Sequence, residues 1–189
     1  SMKILFVIFM SLVGNVIFAQ GDTEKDFQKL FVGLNVDRSP EEIILGSNLK
    51  FEKITRTQEI TGETITIYHS KYDKNVMIKS KILDAEVWIE QQNFEKELGR
   101  HTVSQRIAFP NYEALIVEYN NVFNKFEPYA SNIMGESPEN EREGKDIQTT
   151  LTIKDDVAVR YFNLSYRIPK KEHQAKTQYL LISYRYRRW

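Results

Sequence analysis

The stretch from residue 110 to 128, bounded by a proline at each end, constrains the fold more than any other part of the chain. Asn111 is a favourable N-cap, and Pro128 disfavours helical geometry at the residue before it. Because Ile116 and Val117 are β-branched, a buried strand over residues 114–119 is the alternative. We predict an amphipathic helix, because large apolar residues recur at helical spacing: Tyr112, Leu115, Ile116, Tyr119, Val122, Phe123 and Phe126.

Two shorter helices are expected near the N-terminus of the domain. Thr23 can cap the first, and an apolar stripe follows it at Phe27, Leu30, Phe31 and Leu34. The second begins at Ser39-Pro40-Glu41-Glu42, which combines an N-cap, a proline in the first turn and a reciprocal glutamate. Both helices precede a strand-rich region, so the chain starts with helical elements.

Strand-like segments surround the long helix on both sides. Residues 83–98 fit either a helix or a strand to Ile89 followed by a helical turn, and we favour the strand. The polar segment 131–146 is expected to be a mobile surface loop. The other predicted strands cover residues 49–58, 63–69, 76–82, 103–109, 147–153, 157–168 and 178–188.

This order of elements predicts an α+β fold. A helical segment followed by strands occurs twice, although the two halves share no residue pattern. We expect one compact domain over residues 20–189, with an antiparallel sheet and two or three helices packed on one face. With 189 residues and 41% hydrophobic content, the chain is long enough to bury a substantial core.

The first 19 residues have the features of a secretory signal peptide. Lys3 is followed by an apolar run from Ile4 to Phe18, which is too short for a typical membrane span, and then by Ala19. Ser1 precedes Met2 and is interpreted as a residue left by cloning. The chain has no cysteine, which is compatible with export because a domain of this size does not need disulfides for stability. We therefore predict a soluble periplasmic or secreted protein with no transmembrane span in the mature chain.

Charge is balanced in total but not along the chain. Basic and acidic residues number 26 each, yet residues 157–189 carry a net charge of +7. On a regular final strand, Leu180, Ile182, Tyr184 and Tyr186 would face the core and leave Arg185 and Arg187 facing outward. This basic end is either neutralised within the fold or forms a surface for an acidic partner.

A second candidate surface lies on the segment that we favour as a strand from residue 84. There, Asp84, Glu86, Trp88 and Glu90 would share one face. Carboxylates beside an indole can bind a sugar, a cation or a basic peptide, and two carboxylates can form a glycosidase pair. An ordinary solvent-exposed strand face is the alternative interpretation.

No sequence pattern identifies a catalytic site, a cofactor or a metal. His69, His101 and His173 are isolated and are expected at surface or boundary positions. Export and balanced charge argue against nucleic acid as a partner. We predict an exported, non-enzymatic binding module with a protein partner. The alternatives are an envelope polysaccharide hydrolase using the acidic face around Trp88, and a carrier of an apolar small ligand.

Overall fold

The computed structural model describes residues 22–135 and 142–189. The expected signal peptide therefore lies outside the described residues. The helices are α1 (22–30), α2 (Pro40–Leu45), α3 (Asn93–Glu97) and α4 (Tyr112–Phe126). The strands are β1 (Glu52–Thr57), β2 (Thr64–Tyr72), β3 (Asp84–Gln92), β4 (Arg100–Phe109), β5 (Asn132–Gly135), β6 (Asp146–Lys154), β7 (Ala158–Arg167) and β8 (Gln178–Arg188).

All eight described strands form one antiparallel sheet in the order β1-β2-β3-β4-β8-β7-β6-β5. Each half is a four-stranded meander, and the halves join where β4 pairs with β8. Because α1 and α2 precede one meander and α4 precedes the other, the sheet explains the repeated order of elements in the sequence. The prediction of an α+β fold with an antiparallel sheet is confirmed.

The two faces of the sheet differ in burial. Residues at directly opposite positions on successive strands form a fully buried row on the face that we call the packed face: Ile89, Val103, Tyr184, Phe162 and Leu151. The neighbouring row points the other way and is partly exposed; it contains Trp88, Ser104, Ser183, Asn163 and Thr150. We call this second surface the open face. The alternation follows from the two-residue period of a strand.

Aromatic rings fill the space between the helices and the packed face. The Phe27 ring of α1 stacks on Phe126 of α4 at 4.5 Å and meets Tyr184 edge-on at 4.7 Å between centroids. Phe126 also lies 4.8 Å from Phe162. The stripe predicted for α1 is thus confirmed as core. In α4, Leu115, Val122 and Phe126 are fully buried, whereas Phe123 is only half-buried.

Helix α3 makes a different contact. Its Glu95 side chain reaches Arg185, whose position on β8 faces the open side of the sheet. The expectation that the helices share one face is therefore not confirmed. Over residues 83–98, the favoured interpretation is correct, since β3 runs to Gln92 and the helical turn of α3 follows. The capping box at Ser39 and Glu42 of α2 is also present.

The strand predicted over residues 76–82 is wrong. This segment is an irregular loop, because the buried carboxylate of Glu118 on α4 accepts the backbone amides of Lys79 at 3.1 Å and Ser80 at 2.7 Å. Asn75 anchors the start of the loop by donating to the Leu30 carbonyl oxygen at 2.6 Å. These hydrogen bonds from and to side chains replace those of the neighbouring strand that the prediction required.

Part of the expected loop over residues 131–146 is also ordered structure. Asn132–Gly135 forms β5, an edge strand paired with β6. Residues 136–141 lie outside the described part of the chain. Within residues 22–135 and 142–189, no helix has the length and apolar character needed to cross a membrane.

Candidate functional site

The sheet brings the two surfaces predicted from the sequence onto the same face. Glu90 of β3 is opposite Thr102 of β4, and Thr102 is opposite Arg185 of β8. The acidic residues of β3 and the arginines of β8 are therefore separated only by β4 on the open face. Arg185 and Arg187 are both exposed, as the alternation in β8 predicted.

The three carboxylates of β3 have different surroundings. Asp84 is exposed at the start of the strand. Glu86 is paired on both sides, with Arg106 of β4 at 2.7 Å and with His69 of β2 at 3.0 Å. Burial raises the pKa of Glu90, with a further rise from Glu95 and an opposing effect from Arg56. Trp88 lies between Glu86 and Glu90 and is partly exposed.

The two carboxylates that flank Trp88, Glu86 and Glu90, are not placed as a glycosidase pair. Glu86 and Glu90 are four residues apart on one strand, which separates their Cα atoms by about 13 Å. Glycosidase carboxyl groups lie roughly 5–10 Å apart. Glu86 is held toward neighbouring strands by its pairing with Arg106 and His69, so it is not directed along β3 toward Glu90.

A concavity on the open face lies over the centre and second half of the sheet. This cleft has a volume of about 600 Å³ and does not include Trp88. It combines three arginines and one carboxylate with hydroxyl, amide and phenol groups. Its lining residues are Glu95, Arg100, Thr102, Gln148, Thr150, Tyr161, Asn163, Ser183, Arg185 and Arg187.

Among the described residues, Arg185 is the arginine of the cleft that pairs with a carboxylate. Its Nη2 atom donates to Oε1 of Glu95 at 3.0 Å. The other oxygen of Glu95 accepts the Gln92 backbone amide at 3.2 Å, which is the capping contact of α3. The Glu95 side chain is only 5% exposed, so a buried carboxylate holds a guanidinium that is itself 55% exposed.

Arg100 and Arg187 form the unusual pair of the cleft. They occupy directly opposite positions on β4 and β8, and both line the cleft. Neither forms an ion pair with a carboxylate among the described residues, and the Nε atom of Arg100 is buried with no hydrogen-bond partner there. Like charges at directly opposite positions destabilise a sheet, and a buried unsatisfied donor carries a further cost.

Sequence reasoning identified Arg185 and Arg187 but missed Arg100 and Glu95. Arg100 is the first residue of β4, outside the strand predicted over residues 103–109, and the register of β4 with β8 could not be derived because a long connection separates these strands in the chain. The available signal was alternation: Arg100, Thr102 and Ser104 share the polar face of β4. Glu95 could be recognised only after α3 had been placed against the open face.

The histidines are placed only partly as expected. His101 is 2% exposed, so its predicted boundary position is wrong. Its Nε2 atom donates to the Val36 carbonyl oxygen at 2.6 Å, and burial lowers its pKa despite this hydrogen bond. His69 pairs with Glu86, and His173 is exposed. The described residues contain no group of three or more His, Asp or Glu side chains arranged to hold a metal ion.

A second concavity, of about 400 Å³, lies beside the N-terminal helix and is lined in part by Asp37, Asp155 and Arg160. Arg160 donates to both of these carboxylates, and Tyr184 donates its hydroxyl hydrogen to Asp37. Burial alone would raise the pKa of Asp155, but hydrogen bonds from the Ala158 and Val157 amides and from Arg160 outweigh it and lower the pKa. These groups hydrogen-bond one another, so we assign them a structural role.

Comparisons of this chain with protein-family models, with curated proteins and with solved structures find no match.

Proposed function

We propose that this chain is an exported, soluble binding module that engages a protein partner through the open face of its sheet. In this arrangement α1 and α4 lie on the packed face through Phe27 and Phe126, and the open face, which α3 borders, is available to the partner. The polar cleft on the open face is the contact region. Trp88 and Glu90 lie beside the cleft and would border the same interface.

The observation that carries this proposal is the cleft with Arg100, Arg185 and Arg187 on two neighbouring strands. Among the described side chains, Glu95 is the only carboxylate that lines the same cleft. Arginine and aromatic residues are enriched at the centres of protein interfaces, and Tyr161 lies in the cleft with the arginines. The carrier alternative lacks comparable support, because rings of Phe27, Phe126 and Phe162 fill the space between helices and sheet.

Affinity capture from the native cell envelope, followed by mass spectrometry, tests this function. The bait is the wild-type protein, an Arg187→Glu variant or a Lys81→Glu variant. Lys81 is exposed and is not part of the cleft, so its reversal makes the same change in charge elsewhere. We expect a protein that is retained by wild type and Lys81→Glu and lost by Arg187→Glu, and whose direct binding weakens as salt rises.

The same partner list for all three baits would contradict the use of this face. Export has its own test, because cleavage after Ala19 would leave Gln20 as the first residue of the mature protein. N-terminal sequencing of the protein from its native source checks this expectation. A mature protein that still carries Lys3 and the apolar run would contradict processing by a signal peptidase.

A further inference from the structure

We propose that the cleft seats a carboxylate from an acidic segment of the partner between Arg100 and Arg187. This inference rests on the proposed function and adds the chemistry by which the partner is recognised. The sequence predicted a basic surface at Arg185 and Arg187, whereas the site proposed here lies between Arg100 and Arg187. Arg185 already has a carboxylate in Glu95, whereas Arg100 and Arg187 have none among the described residues.

The positions of the two arginines suit one shared anion. Directly opposite residues of antiparallel strands have Cβ atoms about 5 Å apart, so two guanidinium groups on the same face can converge on one carboxylate. Arginine binds a carboxylate through two parallel hydrogen bonds, which gives both strength and orientation. Arg100 lines the cleft, and its buried Nε–H has no acceptor among the described residues, so a rotation of this side chain toward a bound carboxylate would supply the acceptor that it lacks.

The arrangement favours a peptide carboxylate over a sugar acid. A glutamate or aspartate carries its carboxylate on a narrow, flexible stem that can reach a partly buried arginine. A uronic acid carries its carboxylate on a ring, and rings are usually bound on an exposed aromatic platform. The indole of Trp88, on the same face, does not line the cleft, and Tyr161, which does, is only partly exposed. The cleft instead offers the hydroxyl and amide groups of Thr102, Ser183 and Asn163, which can hydrogen-bond a peptide backbone.

Fluorescence anisotropy with a labelled deca-glutamate peptide tests the proposal on the full chain at low salt. We expect Arg187→Gln and Arg100→Gln each to weaken binding by about tenfold or more, because a charge-assisted hydrogen bond is lost. Arg187→Lys should be intermediate, since it keeps the charge but not the planar fork. Lys81→Gln, the matched control outside the cleft, should bind the peptide as wild type does.

A second readout does not depend on affinity. In ¹⁵N-edited NMR spectra, the side-chain Nε–H signal of Arg100 should shift when deca-glutamate is added, because this donor gains an acceptor. Arg187→Gln should also raise the thermal unfolding midpoint of the free protein, since it removes one member of a like-charged pair. A purely structural role for Arg187 predicts the opposite, a lower midpoint.

Three results would overturn the carboxylate seat. The first is equal binding of deca-glutamate by Arg187→Gln and Lys81→Gln. The second is an unchanged Arg100 Nε–H signal at saturating peptide. The third is tighter binding of oligogalacturonate than of deca-glutamate, which would make a sugar acid the ligand. If Arg187→Glu still loses its captured partner in these cases, the proposed function stands and only the carboxylate seat is wrong.

Discussion

Arg160 donates to both carboxylate oxygens of Asp37, with Nε 3.2 Å from Oδ1 and Nη2 2.7 Å from Oδ2. The two residues are 123 positions apart in the chain, so this pair ties the segment after α1 to β7. The Arg160 side chain is only 8% exposed, and its Nη1 atom donates to Asp155. A guanidinium buried to this extent requires its carboxylates.

Asp37→Asn is therefore expected to lower the free energy of unfolding by about 3 kcal/mol, because it leaves the buried charge of Arg160 only partly compensated. Asp146→Asn is the matched control. Asp146 and Arg167 also pair across neighbouring strands, but both side chains are at least 70% exposed. Removing the charge of Asp146 should change the free energy of unfolding very little. Urea unfolding of both variants measures the difference, and equal losses would show that the buried pair has no special role.

The carboxylate of Glu118 should stabilise the loop over residues 73–83 about as strongly as Asp37 stabilises the buried Arg160. Glu118→Ala leaves the amides of Lys79 and Ser80 without their acceptor, so a loss of roughly 3 kcal/mol is expected. Glu118→Gln keeps an acceptor oxygen and should lose less. Glu113→Ala, which removes an exposed carboxylate from the same helix, should cost less than about 1 kcal/mol.

Hydrogen exchange gives the local readout for this prediction. The Lys79 and Ser80 amides should lose protection in Glu118→Ala and keep most of it in Glu118→Gln. Unchanged protection in the alanine variant would show that the loop does not depend on the α4 carboxylate.

His101 should make stability depend on pH in mildly acidic solution. Its pKa is lowered in the folded protein, chiefly by burial, so the unfolded chain binds the proton more readily. The resulting loss of stability begins as pH falls below the unfolded value of about 6.5 and is complete below the folded pKa. Above that range, His101 is neutral in both states and contributes no slope.

Urea midpoints measured between pH 5 and 8 test this expectation. His101→Gln keeps a side-chain donor that can reach the Val36 carbonyl oxygen and cannot be protonated. In this variant the urea midpoint should depend less on pH, because the contribution of His101 is lost. The contributions of the carboxylates should remain. Parallel curves for wild type and His101→Gln would contradict the prediction.

Charge reversal at the two arginines of β8 should give different results. Arg185→Glu places a carboxylate beside the buried carboxylate of Glu95 and should destabilise the fold. Arg187→Glu replaces one member of a like-charged pair with an opposite charge beside Arg100, and should leave the fold intact or stabilise it by roughly 0.2–1 kcal/mol. Thermal unfolding followed by circular dichroism distinguishes the two variants, and equal destabilisation would place Arg187 in the structural network as well.

Several features could be derived from the sequence because they depend on neighbouring residues. The caps at Ser39 and Asn111 make local hydrogen bonds within three residues, and both are present. The alternation in β8 placed Tyr184 in the core and Arg185 outside, because successive side chains of a strand point to opposite faces. Binary patterning and local chemistry thus determined the fold class, most element boundaries and the orientation of the basic strand.

Only the tertiary structure determined which distant residues each element contacts. Register between β4 and β8 joins residues about 80 positions apart, and only this pairing sets Arg100 opposite Arg187. The same holds for Glu118, a charged residue in the apolar stripe of α4, which is buried because a distant loop supplies amides to its carboxylate. Local patterns contain no information on such partners. Long-range contacts create the irregular loop that was predicted as a strand, and long-range strand pairing places Arg100 opposite Arg187.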